Sequence, residues 1–119
     1  MKRRVLSPGA LTAPLPPVMV TVGDMENANI LTVAWTGILA TVPPKTYISV
    51  RPSRHSYGIL KEKGEFVINL PTVKQAKEVD FVGIYTGKKL DKFETIYGYH
   101  AQALAPIHAI HHRGIVASY

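Results

Sequence analysis

The chain contains no cysteine, and this absence removes several kinds of chemistry at once. Structural disulfides, thiolate catalysis, cysteine-ligated zinc and iron–sulfur clusters all require thiols that the sequence does not have. A reducing compartment is compatible with this composition. Long apolar runs are also missing, since none approaches the roughly 20 residues that a membrane-spanning helix needs. The sequence therefore predicts a protein without a transmembrane segment.

A secretory signal is not indicated either. The basic residues 2–4 resemble the charged start of a signal peptide, but four prolines prevent a continuous apolar helix after them: Pro8, Pro14, Pro16 and Pro17. We therefore predict a cytoplasmic location. At 119 residues, with 46% apolar and 18% charged residues, the chain has the composition of one ordinary globular domain with one core.

Acidic residues are the scarcer of the two charge types. Fourteen Lys and Arg residues against eight Asp and Glu residues give a formal net charge of +6. Such a surplus is either an ordinary solvated surface or an attraction to polyanions, meaning nucleic acid or a phosphorylated cofactor. The basic residues are dispersed, with no run of five. Dispersal favours the solvated surface, with a local anion site near Arg51 and Arg54.

Alternating apolar positions, separated by turn residues, predict a β-rich domain. Residues 37–44 are expected to reverse the chain, because Pro43 and Pro44 interfere with regular strand pairing. The predicted strands cover residues 18–22, 30–35, 47–50 and 66–70.

Two helices are predicted between and after these strands. Ser53 is expected to cap the first, which ends at Gly64. Thr72 and Gln75 form a capping-box pattern that opens the second. Its apolar residues recur every three positions, and it ends between 83 and 87; the stripe consists of Val73, Ala76, Val79 and Val82. The fold class is therefore mainly β (α+β), with two intercalated helices.

Five motifs follow one another between residues 15 and 94. They are NILTVAW at 29–35, PP and a β run at 43–50, RPSRHSY at 51–57, GEFVINL at 64–70, and DFVG, TG and DKF within 80–93. Each is weak alone, but their order resembles the flavin reductase-like family, the FMN-binding split barrels that include flavoredoxins. The resemblance implies a split β-barrel. It stops after residue 94, so the barrel is expected to be incomplete, with a truncated or altered C-terminus.

The resemblance also implies a function. It suggests FMN as the cofactor, electron transfer between flavin and a reduced donor (NAD(P)H or a redox protein), and a homodimer with the flavin at the subunit boundary. No catalytic side chain is predicted. The residues expected to bind the cofactor are Asn29, Leu31, Thr32, Ala34, Trp35, Thr36, Ser53, Arg54, Ser56, Asn69, Thr86 and Lys92.

Residue chemistry supports part of this assignment independently. Arg54 can grip a phosphate with two N–H groups, and hydroxyls from Ser53 and Ser56 can donate beside it at a helix start. Backbone N–H groups of residues 34–36 can stabilise negative charge on a reduced flavin. Trp35 is equally compatible with a core position or a flavin contact. For Asn69 a satisfied core amide is the safer interpretation.

The domain is predicted to cover residues 15–94, between a basic arm at 1–14 and a histidine-containing tail at 95–119. A metal site in the tail is disfavoured, because no carboxylate or cysteine stands beside its clustered histidines: His108, His111 and His112. Two alternatives to the flavin reductase remain open. One is a shortened, catalytically incompetent split-barrel remnant. The other, more distant, is a small basic β-barrel that binds single-stranded nucleic acid, which would need more aromatic residues on its strands.

Overall fold

A computed structural model describes residues 3–5, 7–9, 14–24, 26–97, 109–112 and 115–117. Within these ranges the chain forms two β-sheets and three α-helices. The strands are β1 (Val18–Val22), β2 (Asn29–Val33), β3 (Thr36–Thr41), β4 (Pro44–Ser49), β5 (Phe66–Asn69), β6 (Ala109–His112) and β7 (Ile115–Ala117). The helices are α1 (His55–Lys63), α2 (Ala76–Ile84) and α3 (Lys92–Tyr97), and a 3₁₀ turn at Val73–Gln75 precedes α2.

The strands are arranged in two open sheets. One sheet has the order β2-β1-β5-β6 and is antiparallel throughout. The other has the order β3-β4-β7, in which β7 runs parallel to β4. In the described part of the chain no strand is shared between the sheets, so the barrel is not closed. The sequence correctly predicted a mainly β fold with an incomplete barrel.

The tail contributes one strand to each sheet. β6 pairs with β5 and β7 pairs with β4. Residues 109–112, which include His111 and His112, are therefore a strand. His108 lies outside the described residues. Among the residues that the structure describes, no group of three potential metal ligands occurs.

The β2-β1-β5 part of the first sheet is buried on both faces because its strands alternate between two apolar clusters. Val20, fully buried on one face, belongs to a cluster that includes Ile48 of the other sheet and Leu60 of α1. Met19, on the opposite face, packs with Val82 of α2 in a second cluster. This double coverage fixes the position of β2, whose C-terminal end forms the candidate site.

Residues 36–41 form a strand, so the predicted strand-free reversal over 37–44 is wrong. β3 and β4 make a hairpin in which Thr41 lies opposite Pro44. Pro44 is the first residue of its strand, where a missing N–H interferes least with pairing. Gly37 fits because the Tyr47 ring crosses it: a Cβ there would come within 2.9 Å of Tyr47 Cε1.

Helix α1 begins one residue later than expected. The N–H of Arg54 donates to Arg51 O at 3.0 Å, and this turn makes Arg54 the N-cap residue. The predicted capping role of Ser53 is therefore wrong. The predicted end is correct: Gly64 has φ 70° and its N–H donates to Leu60 O at 2.8 Å.

The predicted capping box is also confirmed, since Thr72 N–H donates to Gln75 Oε1 at 2.9 Å. It opens the 3₁₀ turn, and α2 follows. In the predicted apolar stripe only Val79 and Val82 are buried, whereas Val73 at its start is 95% exposed. α3 was not predicted; Asp91 caps it by accepting hydrogen bonds from the N–H groups of Phe93 and Glu94.

None of the described helices has the length and apolar character to cross a membrane. The cytoplasmic location stays a prediction.

Candidate functional site

Two cavities adjoin each other beside β2. The wide cavity has a volume of about 260 Å³ and is lined by Leu31, Thr32, Val33, Ala34, Trp35, Ser49, Val50, Arg51 and Arg54. The narrow cavity, of about 30 Å³, is lined by Asn29, Leu31, Thr32, Arg54, His55, Ser56, Val82, Gly83, Tyr85, Thr86, Gly87 and Lys92. Three residues line both: Leu31, Thr32 and Arg54. The two cavities therefore form one elongated site.

The wide cavity lies where β2 ends and the chain crosses to the second sheet. Ala34 and Trp35 form this crossing, and Trp35 O accepts a hydrogen bond from Ser49 N–H at 2.8 Å. The guanidinium carbon of Arg51 lies 5.5 Å from the centre of the Trp35 ring, within the range of a cation–π contact. Trp35 is 38% exposed, so it is a wall of this cavity and not a core anchor.

The narrow cavity has buried polar walls. Asn29 and Ser56 are 5% and 1% exposed, and Asn29 Nδ2 donates to Ser56 Oγ at 2.7 Å. Gly87 passes directly against this amide, and a Cβ at Gly87 would overlap Asn29 Oδ1. The contact explains why glycine stands at this position. The Thr86–Gly87 segment can therefore close one side of the cavity.

Lys92 is the third buried polar residue of the narrow cavity. It is 4% exposed, and its Nζ donates to Ile30 O at 2.8 Å and to Val82 O at 2.9 Å. These bonds join β2 to α2. Burial, and to a smaller extent the guanidinium of Arg54, lower the pKa of Lys92 to about 8. An ammonium has three N–H donors, so one remains for a further acceptor.

The electrostatics of the site favour an anion. Arg51 lines the wide cavity, Lys92 lines the narrow one, and Arg54 stands where they meet. Neither lining contains a carboxylate among the residues that the structure describes. A cationic site without a compensating acid binds negatively charged groups.

The structure brings nine of the twelve sequence-predicted residues to this site. The narrow cavity holds Asn29, Ser56, Thr86 and Lys92; the wide cavity holds Ala34 and Trp35; and Leu31, Thr32 and Arg54 belong to both.

The other three predicted residues line neither cavity. Ser53 is exposed in the turn before α1. Thr36 donates its hydroxyl to Tyr47 O at 2.6 Å, within the hairpin. Asn69 donates to Met19 O and Thr21 Oγ1, both at 3.0 Å, which makes it the satisfied core amide that the sequence favoured.

Sequence reasoning missed several lining residues, among them Ser49, His55 and Tyr85. Ser49 is the last residue of β4, and no sequence motif marked it as part of a site. Gly87 was noticed as part of a Thr-Gly motif, but its close approach to Asn29 depends on the packing of distant segments.

Comparisons with known proteins identify the family and the fold. The model of the family described as flavin reductase like domain matches residues 11–113, and so extends beyond the predicted domain end at 94. The flavoredoxin of Desulfovibrio vulgaris is 32% identical with a TM-score of 0.72, over 79% of this chain and 52% of that one. An FMN-binding protein from Thermus thermophilus is 25% identical with a TM-score of 0.69, over 79% and 55%.

An uncharacterized protein from Archaeoglobus fulgidus is 32% identical over 75 residues, which are 63% of this chain and 42% of the relative. The chain thus spans about half the length of these relatives. The structural neighbours confirm the predicted FMN-binding split-barrel fold, and the family model matches most of the chain. On these grounds the protein belongs to the flavin reductase-like domain family.

Proposed function

We propose that this protein binds FMN and acts as a flavin-dependent oxidoreductase of the flavin reductase or flavoredoxin type. The observation that carries this proposal is the shape and chemistry of the joined cavities. One end is narrow, polar and cationic, and the other is wide with an aromatic wall. A molecule with a phosphate at one end and a flat ring system at the other suits both ends.

The narrow cavity fits a phosphate. The Ser56 hydroxyl accepts from Asn29, and no acceptor for its own proton is present among the described residues. Lys92 keeps one N–H beyond its two carbonyl contacts. Arg54 adds a permanent charge at the junction. We assign these three residues to the FMN phosphate.

The wide cavity would hold the ring system. Bound flavin accepts or donates electrons itself, so the protein needs no nucleophile or acid–base pair. The chain's contribution is to orient the ring between Trp35 and the end of β2, with the backbone N–H groups of Ala34 and Trp35 as candidate donors. The sequence lacks a G-x-G-x-x-G loop, so a nicotinamide donor would bind only transiently over the flavin. A redox protein is the other candidate donor.

We further propose that the active form is a homodimer. The wide cavity, at about 260 Å³, is slightly below the usual range of about 300–1,000 Å³ for ligand sites and opens to solvent beside Trp35. A second copy seated against this opening would complete the wall.

The first experiment is to purify the protein and identify any bound chromophore. We expect a yellow preparation that releases FMN on denaturation, or a colourless one that binds added FMN more tightly than riboflavin. Failure to take up FMN would contradict the proposal and support the incompetent remnant. Binding of single-stranded nucleic acid by a flavin-free preparation would support the third alternative instead.

FMN affinity should also depend on pH through Lys92. The protonated ammonium binds the phosphate, and its pKa is about 8 in the free protein. At pH 7 most of the Lys92 ammonium is already protonated, so Kd should rise only about twofold between pH 7 and 8. Above pH 8 binding must take up a proton, and Kd should rise towards tenfold per pH unit. The FMN phosphate itself titrates near pH 6, outside this window.

The measurement is a fluorescence titration of FMN at several pH values from 7 to 9. Lys92→Met should bind FMN more weakly and without this dependence, and riboflavin should show none in either protein. A rise in Kd of the same size in Lys92→Met would assign the dependence to another group.

A further inference from the structure

The side chains of Asn29 and Ser56, which both line the narrow cavity, are joined by a hydrogen bond. They are 27 residues apart in sequence, yet Asn29 Nδ2 and Ser56 Oγ lie 2.7 Å apart in a buried contact. A serine hydroxyl has one proton and two lone pairs. Because the amide of Asn29 donates to one lone pair, the Ser56 proton must be directed to another acceptor.

No described residue accepts that proton. Ser56 is 1% exposed, so bulk water does not surround its hydroxyl. The hydroxyl lines the narrow cavity together with Arg54 and Lys92. A buried donor without an acceptor destabilises the folded protein unless a ligand accepts its proton. The unused donor is therefore available to an anion in this cavity.

We infer that Asn29 is a positioning residue: by donating to Ser56 Oγ, it directs the Ser56 hydroxyl proton towards the phosphate of the bound cofactor. Asn29 then acts through Ser56 and not by its own contact with the phosphate. This inference rests on the proposed FMN function and deepens it.

Gly87 completes the arrangement. Its Cα faces the Asn29 amide, and a Cβ there would overlap Oδ1. The amide is therefore held between Gly87 on one side and Ser56 on the other. A larger residue at 87 would displace the Asn29 side chain, so glycine at this position preserves its contact with Ser56.

The test is to reverse the hydrogen bond with an isosteric change. In Asn29→Asp the carboxylate can only accept, so it takes the Ser56 proton away from the cavity. We expect FMN to bind about 10- to 150-fold more weakly, the range for loss of a hydrogen bond to a charged group. Riboflavin, without a phosphate, should bind as it does to the wild type.

A new carboxylate also repels a phosphate, and a double-mutant cycle separates the two effects. If Asn29 acts through the hydroxyl, Asn29→Asp should weaken FMN binding much less in a Ser56→Ala background. Equal weakening in both backgrounds would mean that charge alone acts, and would overturn the inference. Unchanged FMN binding by Asn29→Asp would overturn it as well.

Asn29→Ala in the same cycle provides a second route if Asn29→Asp does not fold. This variant removes the donor without adding charge. If its loss of FMN affinity disappears in the Ser56→Ala background, the inference is supported. If the loss persists there, the inference is contradicted. Failure of the function is distinguishable, because the wild type would then show no preference for FMN over riboflavin.

Discussion

Arg54→Ala is expected to weaken FMN binding by about 1.5–3 kcal/mol, or roughly 10- to 150-fold in Kd. Arg54 lines both cavities, so its permanent positive charge lies where they meet. Its side chain is exposed and makes no capping bond to α1, so its removal should leave the fold intact. Riboflavin should bind poorly and be indifferent to the change. Calorimetric titration with both ligands measures the difference.

Two control variants sharpen this experiment. Lys61→Ala removes one positive charge from the same helix at an exposed position outside both cavities, and should change FMN binding little. Arg54→Lys keeps the charge but not the planar fork, so it should retain part of the affinity. If Arg54→Ala weakened FMN and riboflavin equally, Arg54 would act on the ring or on the fold. If it weakened neither, Arg54 would not belong to the site.

The strands that were predicted correctly are those with a strong local pattern. β1 alternates between valines of one core and Met19 of the other, and Phe66 and Ile68 of β5 face the same core as those valines. Such alternation is visible in sequence because each strand face is buried against a different layer. β3 was missed because Gly37 and the two prolines are typical turn residues. Only the Tyr47 ring on the neighbouring strand shows why a glycine lies within that strand.

The site could be predicted where its residues are close in sequence. Arg54 and Ser56 lie within one turn of each other, so a helix start brings them together regardless of the rest of the fold. The failure at Ser53 has a local cause, because the turn from Arg51 to Arg54 delays the start of the helix by one residue. The partners of Lys92 could not be predicted, since Ile30 and Val82 reach it only after β2, α2 and α3 pack together.

The hairpin of β3 and β4 presents an exposed apolar surface. Ile38, Leu39 and Val42 are 77%, 54% and 91% exposed. β3 is also at the edge of its sheet, with no partner strand on its outer side in the described part of the chain. An unpaired edge with apolar side chains recruits another chain unless it is protected. Val50 and Ile68, in contrast, are buried in the core and take no part in this surface.

Ile38→Lys is therefore expected to shift the protein from dimer to monomer. A charged side chain on an edge strand opposes pairing and exposes no core, so the monomer should stay folded. Loss of a central apolar contact should weaken the dimer by about 2 kcal/mol or more, roughly 30-fold in its dissociation constant. Trp35 lies immediately before β3, at the opening of the wide cavity. Because the second copy is proposed to cover this opening, FMN affinity should fall when the dimer dissociates.

Light scattering and FMN titration over a range of protein concentrations test both parts of this prediction. Val73→Lys is the matched control, since it places the same charge at a residue that is 95% exposed and outside the hairpin. It should change neither the dimer nor FMN binding. A wild-type protein that is a stable, monodisperse monomer with tightly bound FMN would contradict the proposal. The cavities beside β2 would then form a complete FMN site within one chain, and the exposed hairpin would have no part in it.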